Sequence, residues 1–189
     1  MPLRSSKNLP RQHELNSQFS SKENTPSSTQ SLRVITPEDL SQQLAMIGLQ
    51  SIRILADGNC FFRAISDQLY DHENDHLKLR ATALNHLLVN STYFLPFLDV
   101  EKDSIHTYHS RMSRNGTYVD NLAIMATAFV IKRIIVIHQF GYPPSLIRGG
   151  EGINDQVHVS YDREHFHYET VRRINGAVAS ISLKDLRFR

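Results

Sequence analysis

The chain has 189 residues, 40% of them hydrophobic, which provides for one sizeable core and a tail but leaves two full domains cramped. Its formal net charge is only +2 and its Lys and Arg are dispersed, the tightest groups being Lys132-Arg133 and Arg172-Arg173. That argues against a dedicated nucleic-acid binder, and a single cysteine excludes an internal disulfide or a Cys-rich zinc site and suits a reducing compartment.

Residues 1–33 are rich in Ser, Asn and Gln and poor in bulky apolar residues, so they read as a disordered tail. Met1 to Gln30 lacks the apolar core of a signal peptide, and no apolar run reaches the roughly 18 residues of a membrane-spanning helix. The expected address is the cytoplasm, with the nucleus also open and no membrane involved. Order is expected from Thr36-Pro37-Glu38-Asp39, with Thr36 capping a helix that carries Leu40, Leu44 and Ile47 and stops at Gly48. Ser51 to Leu55 alternates as a short strand, and Asp57-Gly58-Asn59 is a turn. Phe61, Ala64, Ile65 and Leu69 then mark one face of a helix starting at Cys60.

A second helix is expected from about Asp75 to Val89, on Leu77, Ala81, Leu84 and Leu88. A short turn follows around Pro96, then a polar helix between Asp103 and Met112 that Asn115-Gly116 ends. Asp120 caps a helix to Ile131, and Arg133 to His138 is a β-branched buried strand. Gly141 to Asp155 reads as a loop, Val157 to Tyr161 as a strand, and His167 to Arg173 as its return partner. The whole predicts an α/β domain of α+β type, a small mixed sheet flanked by helices.

The chemistry concentrates at Asp57-Gly58-Asn59-Cys60. A thiol where a tight turn meets a helix N-terminus is favoured as thiolate by unsatisfied N–H groups and the helix dipole. The preceding Gly58 lets the turn present backbone amides toward the place where an oxyanion would form. A base must come from elsewhere among ten histidines, and His165-Phe166-His167-Tyr168-Glu169 narrows the choice. On a strand His165, His167 and Glu169 share a face, so alternation alone does not separate the two histidines. Glu169 can orient an imidazole as a triad carboxylate does; Asp57 competes for that role or braces the turn. Cys60, His165 and His167 match no closed zinc pattern, so neither metal nor cofactor is expected.

Asp57-Gly58-Asn59-Cys60-Phe61-Phe62-Arg63-Ala64 resembles the nucleophile motif of the OTU (ovarian tumour) family of cysteine deubiquitinases, with Phe61 at a position that is usually Leu. Asn115-Gly116-Thr117-Tyr118-Val119-Asp120-Asn121 and Val136-Ile137-His138-Gln139 are similar to two further family segments. His167-Tyr168-Glu169 resembles the family's His-Tyr-Asp block with Glu for Asp, and Arg172-Arg173-Ile174-Asn175 resembles its OTU-domain-containing (OTUD) branch.

The resemblance covers about residues 35–176 and divides the chain into the tail, a papain-like catalytic domain over 34–176 and a C-terminal extension over 177–189. It implies thiol-dependent hydrolysis of the isopeptide bond between the ubiquitin C-terminus and a lysine, with ubiquitin and its chains as partners. The resemblance makes Cys60 the nucleophile, His167 the base, Asp57 a catalytic residue and His165 a bystander, with the backbone amides of Asp57, Gly58, Asn59 and Cys60 as the candidate oxyanion donors. Segments 111–120 and 140–155 would flank the cleft, where Asp120, Glu151 and Asp155 can meet the basic ubiquitin tail. The alternatives are an OTU-like module that binds ubiquitin without turnover and an isopeptidase for another ubiquitin-like modifier.

Overall fold

A computed structural model of the chain describes residues 36–99 and 101–182; the expected tail over 1–33 and the last seven residues of the expected extension lie outside the described residues. The first helix, α1, spans Leu40–Ala45. Its cap is Asp39 rather than Thr36: the Asp39 carboxylate accepts from the Gln42 amide at 2.8 Å, one turn closer to the apolar face that Leu44 buries. Strand β1 is Leu49–Ile52, two residues earlier than the alternation suggests, because Leu49 is buried with Leu44 and Val171. Residues 53–56 are thereby released from the ladder.

Helix α2 is Cys60–Tyr70 and α3 is His76–Val89. The buried face of α3 is Leu79, Arg80, Ala83, Leu84 and Leu87, while Leu77 is exposed. Two apolar stripes run along this helix, and packing against α2 and α6 (Asn121–Ile131) selects the one that also buries Arg80. The short α4, Ser91–Phe94, runs into a 3-10 turn at Leu95–Phe97. Helix α5, Ile105–Met112, is capped by Ser104, and Asp120 caps α6 as expected, accepting from the Ala123 amide at 3.0 Å.

Strands β2 (Ile134–His138), β3 (Ser145–Ile147), β4 (Gln156–Asp162) and β5 (His167–Arg173) complete one sheet, ordered β1-β5-β4-β2-β3. β2 and β4 are parallel and the other neighbours antiparallel. Inside the segment expected to be loop, β3 is held by pairing with β2 rather than by its own three-residue propensity.

Alternation assigns the faces. Ile135, Val157, Val159 and Tyr168 pack with Phe61, Ile65 and Ile124 under the helices. Ile134, Val136 and Val171 point to the other face, covered by Leu44, Ala179 and Ile181. Residues of the expected extension thus pack on the sheet: Ala179 is buried, and Gln156 donates to the Ile181 carbonyl at 2.9 Å.

Candidate active site

The chain leaves β1 toward the start of β5 and turns at Gly58 into α2, so that Cys60 opens the helix. The turn is fixed by its own side chains. Asp57 accepts from the Asn59 amide at 2.9 Å, from Asn59 Nδ2 at 3.0 Å and from Arg63 Nη2 at 2.7 Å. The Arg63 bond comes first among the causes that hold the Asp57 carboxyl well below the usual carboxylate range. Asp57 therefore braces the turn. The Asn59 amide is committed to it, which narrows the candidate oxyanion donors to the amides of Asp57, Gly58 and Cys60.

A second segment locks onto the turn. Buried Asn59 donates from Nδ2 to Asn115 Oδ1 at 2.8 Å, and its Oδ1 accepts from the Gly116 amide at 3.1 Å and from Arg80 Nη2 at 3.0 Å. Arg80, 2% exposed, also donates to the carbonyls of Gly58, Met112 and Thr117. Its guanidinium lies 4.6 Å from the centroid of the Phe62 ring. Gly58 has φ +75°, and a Cβ there would sit 2.0 Å from the Gly116 carbonyl oxygen, so only glycine fits. Arg80 and Asn115 carry no sequence signal for this role: an arginine on a helix reads as a solvated charge, and its acceptors lie 21 to 37 residues away.

Cys60 is 3% exposed, and its Sγ accepts from the Tyr168 amide at 3.5 Å. Burial pushes the thiol above its usual pKa, the amides of Tyr168 and Phe61 pull it back, and the charge of Asp57 adds to the rise. Among the causes desolvation comes before the amide donors of β5 and the helix N-terminus, so the net shift is upward.

His167, half-buried, begins β5 and lines the same cleft as Cys60, a cavity of about 580 Å³ that also takes in Gly58, Tyr118, His165 and Glu169. The structure thus brings Cys60, His167 and Glu169 to one cavity, while the carboxylate of Asp57 faces Arg63. Glu169 accepts from Ser51 Oγ at 2.7 Å, and Ser51 Oγ lies 2.7 Å from Ser160 Oγ. His165 is exposed and pairs with Asp162 at 2.7 Å, which raises its pKa. Of the acids expected at the cleft, Asp120 is occupied by the α6 cap and by the Tyr108 hydroxyl, which donates to it at 2.6 Å. Glu151 and Asp155 line neither this cavity nor the one beside it. Among the described residues, no group of three His, Cys, Asp or Glu converges on a metal position.

Residues 55–169 match the family profile described as OTU-like cysteine protease. OTU domain-containing protein 3 of Mus musculus is 39% identical over 137 residues, 71% of this chain and 34% of its own length. OVARIAN TUMOR DOMAIN-containing deubiquitinating enzyme 7 of Arabidopsis thaliana is 37% identical over 138 residues, 71% of this chain and 36% of its own length. The chain thus spans about a third of the length of these relatives. Among solved structures, the OTU domain of OTUD1 superposes with a TM-score of 0.64 at 17% identity, covering 70% of this chain and 91% of that one. An OTU domain in complex with ubiquitin gives 0.59 at 14%, covering 69% and 73%. From the Gly58 turn to the strand that carries His167, this chain belongs to the OTU family of cysteine proteases.

Proposed function

We propose that the chain is a deubiquitinase that cleaves, through a thiol, the isopeptide bond joining the ubiquitin C-terminus to a lysine. The observation that carries the reading is a single cleft lined by the thiol at a helix N-terminus, the Gly58 turn and an imidazole. The names of the relatives support it: one is a deubiquitinating enzyme, and an OTU domain of the same fold is a complex with ubiquitin.

His167 takes the Cys60 proton as the thiolate attacks the terminal glycine carbonyl of ubiquitin. The oxyanion receives N–H donors of the turn, from Asp57, Gly58 and Cys60. Collapse breaks the C–N bond, and the imidazolium returns its proton to the departing lysine amine. A water, deprotonated by His167, then attacks the thioester, freeing the ubiquitin carboxylate and restoring the thiol. Glu169, on the His167 face of β5, orients the ring while Ser51 steadies its carboxylate; Asp57 acts through the turn. No cofactor enters the scheme. Among the described residues no helix is long and apolar enough to cross a membrane, and a reduced thiol nucleophile fits the cytoplasm or nucleus.

The test is reaction with ubiquitin bearing a C-terminal electrophile. Wild type is expected to form a covalent adduct, Cys60→Ala none, and His167→Ala to react at least about a hundredfold more slowly. A folded wild-type protein that forms no adduct overturns the reading in favour of a binding module or another modifier.

A further inference from the structure

A second cavity of about 610 Å³ lies beside the catalytic one and shares with it Asp162, His167 and Glu169. It includes neither Cys60 nor the Gly58 turn. His167 therefore stands as a wall between the two, with the thiol and the candidate oxyanion amides on one side. In isopeptide hydrolysis the acyl carbon must lie at the thiol, and the leaving nitrogen must come within proton-transfer distance of the imidazole. The chain that carries that nitrogen must leave the thiol on a side other than the acyl group's, and this cavity adjoins the imidazole without taking in the thiol.

The walls indicate what that chain offers. Phe140 and Tyr142 present exposed aromatic rings. Carboxylates come from Glu38 and Glu164; Asp39 is engaged as the α1 cap and Asp162 is paired with His165. Arg163 is turned onto Tyr142, donating to its hydroxyl at 3.2 Å with the guanidinium 5.8 Å from the ring. Aromatic faces rimmed by carboxylates favour long cationic side chains, whose stems lie along rings while their heads meet the acids. We infer that this cavity is the leaving-group subsite, and that it selects target lysines flanked by basic residues. The inference rests on the deubiquitinase reading.

The test uses the full chain and two substrates, each ubiquitin in isopeptide linkage to the lysine of a short peptide, flanked on both sides by arginine in one and by aspartate in the other. The arginine-flanked substrate is expected to show a kcat/KM roughly three- to tenfold higher, as a few partly exposed ion pairs permit, with the ratio shrinking as salt is added. In the Glu38→Lys/Glu164→Lys variant the ratio should fall to one or below; being a ratio within one protein, it does not depend on the fraction folded. Equal rates for the two substrates, or a preference undiminished in that variant, overturn the subsite. The ubiquitin electrophile ends at the acyl group and places nothing beyond His167, so its labelling separates the two claims. Labelling without peptide preference removes the subsite alone, and absence of labelling removes the deubiquitinase reading beneath it.

Discussion

Two carboxylates near Cys60 have different partners, and the difference is measurable. Asp57 is bound by Arg63 and Asn59, and Glu169 by Ser51. Glu169→Gln is expected to lower single-turnover cleavage roughly tenfold or more, as loss of an orienting carboxylate does, with little change in Tm. Asp57→Asn should lower Tm first. Because the folded state holds the Asp57 carboxyl below its unfolded value, its stabilisation is present above about pH 4 and lost as pH falls further. The Tm gap between wild type and Asp57→Asn is therefore expected to close in acid, and a gap independent of pH would contradict the ion-pair account. The place of Cys60, at the junction of a tight turn and a helix, is legible because both signals are local. Whether Asp57 braces the turn or supports an imidazole is left open by the sequence, since a carboxylate two residues before Asn59 and six before Arg63 suits both.

Between elements, the contact that matters most is backbone on backbone. Gly58 and Gly116 bring the nucleophile turn against the segment after α5, with Asn59 and Arg80 bonded across the seam. Gly58→Ala faces a left-handed φ, costing about 1–3 kcal/mol, and a clash that must open the seam. Adduct formation with the ubiquitin electrophile should fall by more than about tenfold even in protein that remains folded by circular dichroism; a near-normal rate would mean that the seam does not place Cys60. Helix α2 is readable from its apolar period and α6 from its cap, because those signals are local. The apolar stripe of α3, of which the sequence indicates Leu84 but not Leu79, Ala83 and Leu87, is selected by its packing on α6, and the three-residue β3 exists only by pairing with the strand before it, so neither shows as a local pattern.

At the scale of the whole molecule, the back of the sheet hides a polar chain. Gln156 donates to the Ile181 carbonyl, so its Oε1 accepts from His158 Nε2 at 2.8 Å, and His158 Nδ1 accepts in turn from His138 Nε2 at 2.9 Å. Alternation around Val157-His158-Val159 reads as a strand with one wet face, yet α1 and residues 179–181 cover that face and leave both histidines buried. Burial pushes His138 down to about 4 and His158 down to about 3, from an ordinary 6.5. The unfolded chain then binds more protons than the folded one below pH 6.5, so stability falls with pH until the folded values are reached, by up to about 1.4 kcal/mol per histidine for each pH unit. Urea midpoints are expected to drop from pH 6.5 toward pH 4, less steeply in His158→Gln; parallel curves for the two proteins would argue against the pair.

The strand order has a temporal meaning. Among the described residues β1 is the first strand in sequence and β5 the last, yet the two are neighbours, with β4 on the other side of β5. The amide that reaches the thiol belongs to Tyr168, 108 residues after Cys60. As the chain leaves the ribosome, α2 emerges with its cysteine before the strand that carries both His167 and that amide. Until β5 inserts, β1 lacks its neighbour in the sheet and the cleft lacks His167. The event that closes the sheet is thus the one that completes the cleft.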